Sequence, residues 1–368
     1  MTDNKIKIVY LIDSFSLGGA EKFLLDLCQK IDKNKFEVHV AAVVFAGPLL
    51  KEFEKLDIQI KVFNKKTKLG LGLLWQLYKY LKHTKPQIVH TNLFGADTWG
   101  RVAALLARVP LIVLTEHNIN LDEPKFKKLI KLVLSKFTTK IVAVSQGVKE
   151  YTVQTEKINK EKIQTIYYGI DLNKYQFRGY QAIDQQKTIN AVCVGRLEEQ
   201  KGHQYLIAAL PLILKNYPSF KLHLIGAGSL ADKINRQVKD LNLTDNVKFY
   251  GQRMDVSELL PQMDLFILPS IWEGLGIVLL EAQAVGLPVL ASNIPAVNEV
   301  VKHEQTGLLF EPKNSQAIYE QVKHLIADQK LAENLVNKAS LQIKNDFGLD
   351  TMVQNYANLY LDLINKTK

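Results

Sequence analysis

Short apolar runs alternate with amphipathic stretches along almost the whole chain. The runs are rich in Val, Ile and Leu, and most stretches between them repeat apolar residues at helical spacing. In the first half the predicted strands are 6–12, 36–44, 58–63, 87–90, 111–115, 140–144 and 163–167. In the second half they are 189–194, 220–225, 247–250, 265–268 and 288–291. Such alternation predicts an α/β protein with parallel sheets and crossover helices.

The alternation is interrupted once, and a chain of 368 residues is long for a single core. We therefore predict two Rossmann-like domains that face a central cleft, at 1–172 and 188–347, with a linker at 173–187. Residues 348–368 contain a last helix with one apolar face. That face holds Met352, Val353, Tyr356, Leu359, Tyr360 and Leu363.

Composition and charge narrow the class of protein. Hydrophobic residues make up 47% and charged residues 23%, which is typical of a soluble globular chain. The two cysteines lie far apart in apolar stretches, which disfavours a disulfide framework. Residues 1–175 carry 28 Lys and Arg against 17 Asp and Glu, whereas residues 176–368 carry 19 against 20. The excess positive charge of the first half predicts an anionic partner there.

The N-terminus has no signal-peptide pattern, because its apolar run is short and alternates like a strand. The longest apolar stretch, 102–114, is interrupted by Arg108 and Pro110 and is too short to span a bilayer. The sequence therefore predicts a cytoplasmic protein.

The segment 269–281 follows a buried strand and leads into a helix. Its glycine-rich turn is flanked by Glu273, and Glu281 lies eight residues later on the predicted helix. Backbone N–H groups at a helix start attract anions such as phosphate, and a carboxylate can accept hydrogen bonds from sugar hydroxyls. The segment predicts a receptor for a phosphorylated, hydroxyl-rich ligand.

Two other loops follow the first strand of each predicted domain. Gly18 and Gly19 open a helix and permit close approach to its positively polarised end. Arg196 and Lys201 span the turn that leads into the next helix, where two cations could neutralise a diphosphate without a metal ion. Each loop could also be an ordinary turn.

Gly226-Ala227-Gly228-Ser229-Leu230-Ala231 fits the G-x-G-x-x-A pattern of dinucleotide-binding folds. It belongs to the second strand–helix unit of its domain, and Asp245 is not at the end of a strand, as ribose binding would require. NAD binding is therefore disfavoured.

His117 ends an apolar strand, where it is either structural or in contact with a ligand. The other histidines are scattered, and the sequence shows no metal-site spacing of His, Asp or Glu. A metal-independent mechanism is expected.

Residues 126–137 form a basic amphipathic helix. One predicted face is apolar, and Lys127, Lys128 and Lys131 are placed on the opposite side. Two interpretations are open: a helix on an anionic membrane surface, or a packing helix with a lysine-rich polar face. Nucleic acid is disfavoured, because the lysines have no interleaved aromatic stacking platform and no known nucleic-acid-binding motif is present.

The order and spacing of several short motifs resemble the retaining family-4 glycosyltransferases of GT-B fold, over nearly the whole chain. The motifs are Gly18-Gly19-Ala20-Glu21, Thr115-Glu116-His117, Val144-Ser145, Gly169-Ile170-Asp171, Gly195-Arg196-Leu197 with Gln200-Lys201-Gly202, Gly226-Ala227-Gly228, Gly251-Gln252, Glu273-Gly274-Leu275-Gly276 with Glu281, Gly286-Leu287-Pro288-Val289 and Gly307-Leu308-Leu309-Phe310. One departure is Tyr168, where the family often has asparagine.

The resemblance implies a role for each matching position. Arg196 and Lys201 would hold the donor diphosphate, Glu273 would face the transferred sugar, and Glu281 would accept hydrogen bonds from the nucleotide ribose. His117 and Ser145 would contact the sugar or the acceptor from the N-terminal, acceptor-side domain, on which the last helix would pack. The resemblance also places these backbone positions at the donor: Gly18, Gly19, Gly226, Gly274, Leu275 and Gly276.

The expected function is retaining transfer of a hexose or N-acetylhexosamine from a nucleotide sugar, and the expected donor is a UDP-sugar. The acceptor would be a glycan or lipid-linked molecule in cell-surface polysaccharide synthesis. The departing phosphate is thought, in enzymes like these, to deprotonate the incoming hydroxyl. Two alternatives stay open: a non-catalytic sugar-nucleotide-binding partner and a sugar-nucleotide epimerase. No cofactor is expected, and peripheral attachment to the inner face of the membrane is an option.

Overall fold

A computed structural model describes residues 5–64, 71–121 and 123–367. These residues form two compact units. The first runs to Gly169 and includes the C-terminal helix from Leu349, and the second is Ile170–Gly348. The residues 173–187, expected to be a linker, lie in the second unit.

The first unit is built on a parallel sheet of seven strands in the order β3-β2-β1-β4-β5-β6-β7. The strands are β1 Ile6–Ser14, β2 Phe36–Phe45, β3 Gln59–Val62, β4 Ile88–Asn92, β5 Leu111–Glu116, β6 Lys140–Ala143 and β7 Ile163–Thr165. The helices between them are α1 Gly19–Lys30, α2 Leu50–Glu54, α3 Leu71–Thr84, α4 Phe94–Ala107, α5 Lys125–Ser135 and α6 Gln146–Gln154. Strands β4 and β5 are buried along their whole length, as expected for central strands of a parallel sheet.

The second unit has a parallel sheet of six strands in the order β10-β9-β8-β11-β12-β13. The strands are β8 Asn190–Val194, β9 Lys221–Ile225, β10 Val247–Phe249, β11 Leu265–Leu268, β12 Val289–Ser292 and β13 Leu308–Phe310. The helices are α7 His203–Asn216, α8 Ala231–Asp240, α9 Val256–Leu259, α10 Ile277–Val285, α11 Val297–Val300, α12 Ser315–Ala327 and α13 Gln329–Asp346. The prediction of two doubly wound, Rossmann-like halves is confirmed.

The last helix, α14 (Leu349–Asn365), packs in the first unit and buries its apolar face. A polar network fixes it to the sheet. The Tyr360 hydroxyl lies 2.7 Å from Nδ1 of His90 and accepts a hydrogen bond from Tyr10, while Nε2 of His90 lies 2.7 Å from the Thr115 hydroxyl. Burial lowers the pKa of His90 to about 3, so this ring is neutral at neutral pH.

Among the described helices, none has both the length and the hydropathy needed to cross a bilayer.

Candidate functional site

The strand order of the second unit brings two loops together. Strands β8 and β11 are neighbours in the sheet. From β8 the chain continues to β9, toward one edge, and from β11 it continues to β12, toward the other edge. Ligands of such sheets bind outside the carboxyl ends of the strands, at this switch in direction. The two loops that start there, 195–202 and 269–276, are the ones that carry Arg196, Lys201 and Glu273.

Gly202 allows the two loops to meet. Its φ is +61°, and a Cβ atom at this position would lie 2.1 Å from the carbonyl oxygen of Pro269. Only glycine fits such an approach without displacing the backbone. The amide of Ile271 also donates to the carbonyl of Gln200, over 2.7 Å. These contacts fix the position of Lys201, which precedes Gly202.

Lys201 and Glu273 form an ion pair. The Nζ atom of Lys201 lies 2.5 Å from Oε1 of Glu273, and the Ser270 hydroxyl donates to the same oxygen over 2.7 Å. Glu273 and Ser270 are buried, and the Lys201 side chain is 13% exposed. The carboxylate is therefore held from two sides, next to a cation that faces partly outward.

Arg196 joins the same site through Gln200. Its guanidinium donates to Oε1 of Gln200 over 3.1 Å, and the Gln200 side-chain amide donates to the carbonyl of Trp272 over 3.0 Å. Arg196 is exposed, whereas Gln200 is buried. The arrangement presents a fixed guanidinium on the open side of the two loops, which suits an anionic ligand.

The turn 274–276 leads directly into α10. Gly276 has a φ of +80°, a conformation that side chains disfavour, and it stands at the N-cap position. A glycine has no side-chain oxygen to cap the first turn. Gly274 and Leu275 are buried beside it.

Glu281 lies one turn into α10 and is buried. Its Oε1 atom accepts a hydrogen bond from the hydroxyl of Tyr175 over 2.9 Å. The tyrosine belongs to the segment that was expected to be a linker.

The glycines of the motif 226–231 have a packing role. Gly226 has a φ of +148°, and a Cβ atom would lie 1.9 Å from the carbonyl oxygen of Gly195, while Gly228 closely approaches the carbonyl of Leu197. The loop 226–231 therefore packs directly against the backbone on both sides of Arg196. Two hydrogen bonds from Ser229 lower the pKa of Glu198, which lies in the same region.

His117 lies in the first unit, at the end of β5, and both of its ring nitrogens have partners. Nε2 is 2.9 Å from Oδ1 of Asn92, and Nδ1 is 2.6 Å from the hydroxyl of Tyr168. Burial lowers the pKa of His117 to about 3. The ring is neutral at neutral pH, so it carries no positive charge, and its two nitrogens are engaged with Asn92 and Tyr168.

Gly18 and Ser145, two further predicted positions, have local roles in the first unit. Gly18 has an extended backbone, with a φ of −149°, and the Glu21 carboxylate fills the space where its side chain would be. The helix α1 then begins at Gly19. Ser145 is fully buried, and its hydroxyl accepts a hydrogen bond from the Val148 amide as the N-cap of α6.

The prediction for the orientation of α5 was wrong. Lys131, which was placed on the polar side, is buried among Glu116, Glu123 and Glu156, with Nζ 2.8 to 3.4 Å from a carboxylate oxygen of each. We call these four residues the lysine cage. A charge this well paired can lie inside, and it turns the helix so that part of its apolar side faces outward, while Leu134 of that side stays buried.

The outward side of α5 carries an apolar stripe, which consists of Phe126, Leu129, Val133 and Phe137. Each is 46 to 60% exposed. Lys127 and Lys128 lie beside it, with their ammonium groups over the rings of Phe94 and Tyr151 at 4.7 and 5.7 Å. The surface therefore combines exposed apolar side chains with positive charge.

Sequence reasoning missed several residues that the structure places at these sites. Ser270 holds Glu273, Tyr175 holds Glu281, and Asn92 holds His117. Ser270 had a usable signal, because it lies between a buried strand and Glu273. Tyr168 was noted only as a departure from the family pattern, and its hydroxyl contacts His117. In the described part of the chain, no three His, Cys, Asp or Glu side chains are grouped so that they could hold a metal ion.

Comparison with known proteins agrees with this architecture. The family model "Glycosyltransferase Family 4" matches residues 17–174, and "Glycosyl transferases group 1" matches residues 178–342. A structure of Anabaena HepE in complex with UDP and glucose superposes with a TM-score of 0.85 at 24% identity, over 97% of this chain and 100% of that one. A glycosyltransferase from Rickettsia africae gives a TM-score of 0.81 at 22% identity, over 98% and 99%.

Two curated relatives align with this chain over nearly the full length of both proteins. The UDP-Gal:alpha-D-GlcNAc-diphosphoundecaprenol alpha-1,3-galactosyltransferase of Escherichia coli is 29% identical, over 99% of this chain and 98% of its own. The N-acetylgalactosamine-N,N'-diacetylbacillosaminyl-diphospho-undecaprenol 4-alpha-N-acetylgalactosaminyltransferase of Campylobacter jejuni is 26% identical, over 92% and 95%. The chain is therefore an enzyme of the family-4 glycosyltransferases, with the GT-B fold.

Proposed function

We propose that this glycosyltransferase moves a hexose or N-acetylhexosamine from a UDP-sugar to a glycan or lipid-linked acceptor, with retention of configuration. The observation that carries the proposal is the Lys201–Glu273 pair, beside Arg196, at the switch point of the second sheet. The E. coli and C. jejuni relatives, named as sugar transferases with diphospho-undecaprenol-linked substrates, support the same chemistry.

The charges of the side chains at this site suggest what each of them does during sugar transfer. Arg196 and Lys201 bind the diphosphate and stabilise the negative charge that develops as it leaves, which is the task a divalent metal performs elsewhere. Glu273 faces the transferred sugar, where positive charge develops at the anomeric carbon. The backbone of 274–276 at the start of α10 supports the phosphate or the sugar. On this assignment turnover needs no added metal and persists in a chelator.

Two further contacts complete the proposal. Glu281 accepts hydrogen bonds from the ribose hydroxyls. His117 contacts the sugar or the acceptor through its neutral ring, because its lowered pKa leaves no charge to offer.

Nucleotide binding can be measured by thermal unfolding. UDP at about one hundred times its dissociation constant should stabilise the folded protein by about 2.7 kcal/mol, since it binds only the folded state. Arg196→Ala should weaken binding of UDP, whereas Lys187→Met, which removes an exposed lysine of the same unit, should not. Equal stabilisation by ADP, GDP and UDP would contradict a uridine donor.

Product analysis then separates enzyme classes. With acceptor present, the glycosylated product should keep the anomeric configuration of the donor. Turnover of the nucleotide sugar into an isomer without acceptor would identify an epimerase, and binding without any turnover would identify a non-catalytic partner.

We also propose that the first unit binds the cytoplasmic face of an anionic membrane through α5. The apolar stripe can enter the headgroup region while neighbouring lysines meet anionic lipids, which is the pattern of interfacial helices. A lipid-linked acceptor would then be reached from the surface in which it is anchored.

Vesicle binding tests this surface. Wild-type protein should bind anionic vesicles at low salt, and binding should fall as salt rises. Leu129→Ser with Phe137→Ser should reduce binding at least about tenfold, because each apolar side chain buried in lipid contributes about 1.5–3 kcal/mol. Leu341→Ser, an equally exposed leucine of α13, is the control. Wild-type protein that fails to bind at low salt would disprove the membrane role.

A further inference from the structure

The segment that follows Gly169 belongs to the second unit and is held there by several hydrogen bonds. The amide of Ile170 donates to the carbonyl of Phe347 over 2.9 Å, and the amide of Tyr175 donates to the carbonyl of Asp171 over 3.0 Å. Farther along, the Arg178 guanidinium donates to the carbonyls of Pro261 and Met263. The backbone is thus fixed on both sides of Tyr175.

The fixed backbone places the Tyr175 hydroxyl on Glu281. The tyrosine is 2% exposed and the glutamate 3%, and the hydroxyl donates to Oε1 over 2.9 Å. A buried carboxylate needs donors, and a phenol bound to one oxygen restricts rotation of the group. A residue 106 positions away in sequence therefore contributes to the orientation of Glu281.

We propose that Tyr175 is a positioning residue for ribose recognition: its hydroxyl orients the Glu281 carboxylate toward the ribose hydroxyls of the donor. This inference rests on the proposed function. Hydrogen bonds to a charged group depend strongly on direction, so a carboxylate already aligned binds the diol better than one that must be ordered on binding.

The test compares UDP with its 2′-deoxy and 3′-deoxy analogues as competitive inhibitors. In wild-type protein, loss of the hydroxyl that pairs with Glu281 should weaken inhibition by about tenfold, since that bond has a charged acceptor. Tyr175→Phe keeps the packing of the ring. In this variant the ratio of the inhibition constants of the deoxy analogue and of UDP should shrink at least about threefold. The KM for the UDP-sugar should rise, while kcat changes little.

Tyr180→Phe is the matched control. Tyr180 is a tyrosine of the same segment, and its hydroxyl donates to Gln329 rather than to Glu281. This variant should keep the wild-type ratio. Thermal unfolding of both variants checks that they are folded. The Glu281→Gln variant should no longer distinguish UDP from the deoxy analogue, whether or not Tyr175 is also changed.

The outcomes separate the two proposals. If Tyr175→Phe keeps both wild-type ratios and the wild-type KM, the positioning role is wrong while nucleotide binding stands. If wild-type protein binds UDP but does not distinguish the deoxy analogues, the ribose role of Glu281 falls and that of Tyr175 with it. Wild-type protein that binds no uridine nucleotide overturns the proposed function itself.

Discussion

Lys201→Met is expected to lower kcat by about 10²–10³-fold, the usual effect of removing one group that stabilises transition-state charge. The substitution keeps most of the length of the side chain and removes the only charge within 2.5 Å of Glu273 that the structure describes. The negative charge that develops on the leaving diphosphate would lose a partner. Steady-state kinetics with saturating acceptor measures the effect, and KM for the donor should change less than kcat.

A structural effect must be separated from a catalytic one. Without Lys201 the buried Glu273 carboxylate keeps Ser270 as a donor but loses its cation, which destabilises the protein as well. The double variant Lys201→Met with Glu273→Gln removes both charges, so its stability should recover toward that of the wild type while its activity stays low. Recovery of activity in the double variant, or normal kcat in Lys201→Met, would refute the assigned role. Lys187→Met serves again as the control.

The sequence allowed the central features of the fold to be predicted because they depend on local pattern. Apolar runs marked the strands, and the helical spacing of the last segment identified the face that α14 buries. Strand β13 was missed, although it has three residues like β7 and β10, which were predicted. The loops of Arg196, Lys201 and Glu273 could be placed at one sheet edge because the carboxyl ends of parallel strands share that edge.

Contacts between distant parts of the chain could not be predicted in this way. Nothing near Glu281 in sequence points to Tyr175, and nothing near His117 points to Asn92. The periodicity of α5 predicted a helix but not the side that faces inward. That choice depends on Lys131 and on carboxylates that come from three separate segments, a combination visible only in three dimensions.

The lysine cage places one cation among three carboxylates inside the first unit. Burial lowers the pKa of Lys131, but the carboxylates of Glu116 and Glu156 more than offset this, and the pKa lies above its usual value. Burial and the Glu116 carboxylate raise the pKa of Glu156 to about 7, against the opposing effect of Lys131. The cage thus depends on its single cation.

Lys131→Met should therefore reduce the free energy of unfolding by about 3–5 kcal/mol, the cost of breaking a buried ion pair from one side. The raised pKa of Glu156 also fixes the direction in which its contribution to stability changes with pH. Folded Glu156 binds protons more tightly than the unfolded residue, whose pKa is 4.5, so the contribution of Glu156 to wild-type stability falls as pH rises from about 4.5 through 7. Without the cation Glu156 holds its proton to still higher pH, and the deficit of the variant should grow between pH 5.5 and 8.5. Urea unfolding at both values measures it, with Lys136→Met, at an exposed lysine just after α5, as the control. A deficit independent of pH would mean that Lys131 contributes packing alone.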